Sequence, residues 1–183
     1  MKYVVRLLIF AVSVISLPVS CIEYNRIKNM MTEFMNSEIV IPDDINCIYN
    51  MEMSKIQKDT LQKLKLVIYY DSLNCSACRI SRLLDIYPLY EMSDTSHFSV
   101  LTIFSPKQSE IDDVITQLRI MNHKIPIYVD VNKSFSNLNQ VIPSDLRFHT
   151  FLLNDKGCPK FVGNPLNSVK LKELFIESIY FNY

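Results

Sequence analysis

The chain has 183 residues, 49% of them hydrophobic and 21% charged, with 19 basic and 19 acidic side chains. Those proportions suit one packed domain with a leader and an arm, and exclude a disordered chain. No stretch is strongly basic, so nucleic acid finds no electrostatic footprint. Gly157 and Gly163 are the only glycines, which excludes a glycine-rich phosphate loop and with it dinucleotide and P-loop enzymes.

The amino terminus carries a short basic region, Met1 to Arg6, followed by the apolar run Leu7 to Leu17. That run is short for a bilayer span and suits the core of a signal peptide. Leu17-Pro18-Val19-Ser20-Cys21 resembles a bacterial lipobox, in which the cysteine is lipidated and becomes the first residue; Pro18 is unusual at its place in that motif. An uncleaved anchor or ordinary cleavage nearby is the alternative. Either way the remainder leaves the cytoplasm, where disulfides are permitted. Loss of residues 1–20 removes Lys2 and Arg6 and no acid, leaving 17 basic against 19 acidic groups, a charge of −2.

Residues 21–36 read as a polar tether with a possible short helix. Glu38 to Pro42 and Ile45 to Tyr49 look like two strands split by a Pro-Asp-Asp turn, and Lys55 to Lys65 like a charged linker. From Leu66 the pattern is regular. Leu66 to Tyr70 is a continuous apolar run, as in a strand covered on both faces. Asp71 to Asn74 forms a loop, and Cys75-Ser76-Ala77-Cys78 opens a helix with Ile80, Leu83, Leu84 and Tyr87 on one face, stopped by Pro88. Phe98 to Phe104 is a second buried strand. Ser109 with Asp112 caps a helix whose Ile111, Val114, Ile115 and Leu118 form one face. Ile125 to Asp130 is a third strand, and Phe135 to Asn139 a short helical turn. Thr150 to Leu153 and Pro159 to Val162 form a hairpin around Asn154-Asp155-Lys156-Gly157. Asn167 or Ser168 caps a last helix with Leu171, Leu174, Phe175 and Ile179 inward. The alternation implies an α/β fold with a mixed sheet.

This order of elements, with a CxxC after the first buried strand, resembles the thioredoxin fold, and within it the membrane-tethered thiol-disulfide oxidoreductase and peroxiredoxin-like branch. Ile125 to Asp130 looks like that branch's extra strand, and Phe148 to Gly157 like its strand and hairpin. Tyr70 to Cys78 and Arg147 to Phe151 resemble a set of bacterial thioredoxin-like lipoproteins. The resemblance covers residues 62–181 and implies a thioredoxin-like domain over 62–183, with a central mixed sheet flanked by helices, a signal peptide over 1–20 and a lipidated tether with a short β arm over 21–61. It also implies a cis-proline facing the cysteine pair. That place falls on Phe148, beside His149, and a phenylalanine there is expected to stay trans. Asn74 stands where an aromatic residue usually precedes the pair.

At a helix N-terminus the Cys75 thiol meets unpaired N–H groups, which favour thiolate. Cys78, one turn on, is then shielded and placed to attack a mixed disulfide. A permanent disulfide staple or two inert thiols is the bland reading of the same pair. Zinc needs two further ligands, for which His149 is the only nearby candidate, and Arg79 after the pair excludes c-type haem. No cofactor or metal is expected. Cys47 and Cys158 are read as unpaired thiols, one of them buried, with a bridge between them as the alternative. Asp71 serves as a proton acceptor or, more simply, shapes the loop. His97 and His123 are read as solvated, and the tyrosines and methionines as packing.

Two functions follow. One is an exported, lipid-anchored thiol-disulfide oxidoreductase in the cell envelope, acting through Cys75 and Cys78 on exported protein thiols or disulfides or drawing on a membrane electron donor, and held to the membrane at Cys21. The other is a non-catalytic thioredoxin-like binding module with a structural disulfide.

Overall fold

A computed structural model describes residues 22–73 and 76–180. The expected signal peptide over 1–20, Cys21, Asn74 and Cys75 lie outside the described residues. Helix α1 covers residues 22–35. It is followed by strands β1 (Asn46–Tyr49), β2 (Glu52–Lys55) and β3 (Leu64–Tyr70), then helices α2 (Ser76–Ile80) and α3 (Tyr87–Ser96). Next come β4 (Phe98–Phe104), α4 (Ile111–Ile120), β5 (Ile127–Val129) and α5 (Ser134–Leu138). The chain closes with β6 (Thr150–Leu153), β7 (Pro159–Val162) and α6 (Val169–Tyr180).

The strands form one sheet in the order β2-β1-β5-β4-β3-β6-β7. Parallel pairing joins β3 to β4, with Leu64 opposite Phe98 and Tyr70 opposite Phe104, and joins β4 to β5. Strand β6 runs antiparallel to β3 and turns back into β7. A parallel pair linked by helices, then an antiparallel hairpin and a closing helix, is the thioredoxin-like arrangement. Gly157, with φ of 81°, makes the hairpin turn.

The apolar run in β3 divides by the two-residue period of a strand. Leu66 and Ile68 enter a core with Leu83, Leu89, Phe98 and Phe175. Val67 and Tyr69 enter the opposite core with Phe34, Phe135 and Phe151. Much of that second core comes from the first part of the chain: Phe34, Ile39, Ile41, Ile45 and Ile56 are all buried in it. The segment read as a tether is thus a helix docked through Phe34, whose ring meets Phe151 edge-on at 5.1 Å.

Several local expectations need correcting. Residues 38–42 belong to no strand. The Ile39 amide donates to the Gly157 carbonyl (2.9 Å), while the Asn139 side chain both accepts from the Val40 amide and donates to its carbonyl, each at 2.8 Å. A side-chain amide thereby replaces a partner strand, and Pro42 brings no donor for a ladder. Strand β2 was not anticipated, since all four residues are exposed. Pro88 lies in the first turn of α3, where a missing N–H costs nothing, so it starts a helix instead of stopping one. Leu84 is 68% exposed and Leu174 40% exposed; the buried α6 side chains are Phe175 and Ser178. The Ser109–Asp112 cap is absent: a single 3-10 turn over Gln108–Glu110 leads into α4, with no side chain bonded at its N-cap. Ser168 does cap α6, accepting from the Leu171 amide at 3.2 Å. His123 is buried, not solvated, as its short loop folds back on the protein.

Candidate functional site

Strand β3 delivers the chain to the site. After Tyr70, Asp71 accepts from the Leu73 amide at 3.0 Å, so its carboxylate shapes the loop. Helix α2 then begins at Ser76, whose hydroxyl donates to the Glu110 carboxylate at 3.1 Å and ties α2 to the start of α4. Its regular turns end at Ile80. So short a helix supplies only a small part of the macrodipole expected to favour a thiolate.

Cys78 is disulfide-bonded and exposed. The expectation that it is shielded therefore fails: α2 presents this position to solvent, and buries Ser76 and Ile80 instead. Cys75 and Asn74 lie outside the described residues, as does the lipidation candidate Cys21. Cys47 and Cys158 are both free and half-buried, so no bridge joins arm to hairpin. Burial pushes the Cys47 thiol above its ordinary value, against a hydrogen bond with Tyr128. That thiol faces a cavity of about 630 Å³ shared with Lys55, Tyr90, Lys124 and Tyr128, which no residue of α2 lines.

The segment before β6 departs from the proline-bearing family pattern. Phe148 follows a trans bond and ends a 3-10 turn over Leu146–Phe148. Its ring lies under the Arg147 guanidinium, 5.5 Å from the centroid. Arg147 also forks onto Asp145, and that hydrogen bonding holds the Asp145 carboxyl down at about 2. His149 is 5% exposed. Its Nε2 lies 2.7 Å from the Pro143 carbonyl, so Nε2–H donates there. Its own carbonyl accepts from the Tyr69 amide at 2.8 Å and prolongs the β3–β6 ladder. The bond to Pro143 leaves Nδ1 as the unpartnered nitrogen of the ring, and the described residues contain no cluster of three metal-ligating side chains.

Cys78 and His149 are nevertheless brought to the same end of the sheet. Arg79, next after Cys78, stacks over the Tyr70 ring at 5.5 Å and lines a cavity of about 210 Å³ with His149, Arg147, Asn164 and Asn167. Phe148 is not among its lining residues. Sequence reasoning missed Arg79, Asn164 and Asn167. The signal available was the order of elements, because the β7–α6 loop of this arrangement returns to the end of β3.

By structure the chain is similar to AhpC from Enterococcus faecalis (13% identical, covering 80% of this chain and 98% of that chain, TM-score 0.46). It is also similar to a putative thiol:disulfide interchange protein DsbE from Chlorobium tepidum (11%, 73% and 92%, 0.47). A third likeness is to an uncharacterized thioredoxin-like protein from Porphyromonas gingivalis (18%, 78% and 95%, 0.44). These are distant likenesses of fold and say nothing of chemistry. No protein-family model matches the chain, and no curated protein matches it by sequence.

Proposed function

We propose that the chain is an exported, lipid-anchored thiol-disulfide oxidoreductase acting through Cys75 and Cys78. The observation that carries this reading is Cys78, an exposed, disulfide-bonded cysteine on the first helix after the central strand. An exposed disulfide sulfur lies within reach of an attacking thiolate, whereas a staple sealed in the core does not. Cys75 is assigned as the nucleophile and Cys78 as the resolving thiol. The substrates are thiols or disulfides of exported proteins, or the pair draws on a membrane electron donor, with Cys21 holding the protein at the envelope membrane. Cys75→Ser should abolish reduction of insulin disulfides, and Cys78→Ser should accumulate a mixed disulfide. Undiminished turnover by Cys75→Ser sinks the proposal.

A second reading, a non-catalytic binding module with a structural disulfide, is favoured by the trans Phe148 and the inward engagement of His149. Equilibration across thiol buffers separates the two. A disulfide that stays closed under strong reductants supports the binding module.

A further inference from the structure

The small cavity beside α2 has the wall of an anion site. Two guanidinium groups, Arg79 and Arg147, line it with Asn164, Asn167 and Thr150, and no carboxylate among the described residues does. Arg147 is matched by Asp145, which stands outside the lining. None of the ion pairs among the described residues involves Arg79. Its guanidinium lies over the Tyr70 ring. Asn164 spends its side-chain oxygen on the Leu166 amide at 2.9 Å, which leaves its NH₂ as a donor. His149 adds no donor to this wall: with Nε2–H committed to the Pro143 carbonyl, its Nδ1 is a buried lone pair without a partner, so recognition of an anion falls to the guanidinium and amide donors.

A volume of about 210 Å³ holds one small charged group and a few carbons, not a whole peptide. Guanidinium forks and amide donors select a planar oxyanion. We propose that this cavity is a carboxylate subsite of the redox turn, selecting thiol and disulfide substrates that carry a carboxylate a few bonds from sulfur. The proposal rests on the reading of Cys75 and Cys78 as a redox pair. In the reducing direction the Cys75 thiolate attacks one substrate sulfur and expels the first thiolate. Cys78 then loses its proton, attacks the Cys75 sulfur and releases the second. Two electrons pass from the dithiol to the substrate, and the dithiol's two protons end on the two released thiols.

The test uses the reduced full-length protein and three disulfides of similar size: 3,3′-dithiodipropionate (anionic), bis(2-hydroxyethyl) disulfide (neutral) and cystamine (cationic). Oxidation of the protein is followed by trapping free thiols. At low salt the anionic disulfide should react about tenfold faster than the neutral one, and the cationic one slowest. Arg79→Gln should collapse that ratio, as should high salt. Asn164→Asp, which keeps the acceptor for Leu166 and adds a charge to the wall, should invert it. Equal rates with all three disulfides overturn the subsite and leave the redox reading standing. No oxidation by any of them overturns the redox reading. Succinate binding to the oxidised protein, measured by calorimetry, then decides the cavity by itself: binding lost in Arg79→Gln supports an anion site, and no binding to the parent overturns it.

Discussion

Asp130, 1% exposed at the end of β5, accepts from the Ser105 hydroxyl at 3.1 Å and the Phe135 amide at 3.2 Å. Burial outweighs these bonds and lifts its carboxyl above the ordinary 3.8. The folded protein therefore holds this proton more tightly than the unfolded chain does. The resulting stabilisation is fully present below the unfolded value and is lost as pH rises through the folded one. Asp130→Asn retains an oxygen for both donors and has no charge to bury. Relative to the parent it should be the more stable near pH 7, with the difference shrinking as pH falls towards the ordinary carboxylate range. Urea unfolding of both proteins at neutral pH and in that acidic range checks this. The comparison must be a difference, because Asp44 and Asp145 are displaced downwards and act with the opposite sign. An Asn variant weaker than the parent at neutral pH would show that the carboxylate is favoured where it stands.

At the scale of elements, α1 is attached chiefly by Phe34, which is 0% exposed. Phe34→Ala should cost about 3–5 kcal/mol, the usual loss for a fully buried aromatic ring. A denaturant midpoint close to the parent's would mean that the helix does not dock. Elements with a strong period were legible in advance: β3, β4, the β6–β7 hairpin and the inner face of α4 all follow from apolar spacing. What escaped did so for local reasons. The β1–β2 hairpin turns at Asn50 and Met51, both at positive φ (48° and 66°), and methionine is no signal for such a turn. Its second strand has no buried face to give a period. Pro88 reads as a stop in sequence because proline is tolerated only at the start of a helix, and no capping residue before it marks a new start.

For the whole molecule, the division between a domain beginning at residue 62 and an arm before it meets a physical objection. Phe34, Ile39, Ile41, Ile45 and Ile56 form part of the cover of one core. At about 1.5–3 kcal/mol for each large apolar side chain, their loss is on the order of 10 kcal/mol, comparable with the entire stability of a domain. A chain starting at Gln62 is therefore expected to lose cooperative unfolding and to expose apolar surface, read by thermal denaturation and dye binding. A sharp transition like that of the parent would restore the boundary. The site divides in the same way. Sequence located the cysteine pair and the Phe148 position, because a motif and an order of elements mark them. The cavity wall was hidden because Arg79, Asn164 and Asn167 meet only after two loops have returned to one end of the sheet.

Helix α1 has one more consequence. No helix among the described residues is long and apolar enough to cross a membrane; under the proposed lipid attachment at Cys21, no residue would separate the anchor from the helix starting at 22. Glu23 and Arg26 lie close enough to Asp145 and Arg147 for their charges to be felt, which sets the start of α1 beside the loop that lines the cavity. A protein held there would have little slack to swing on. Its Arg79 end would be turned towards the lipid headgroups, and a partner would have to approach along the bilayer surface, not from bulk solvent.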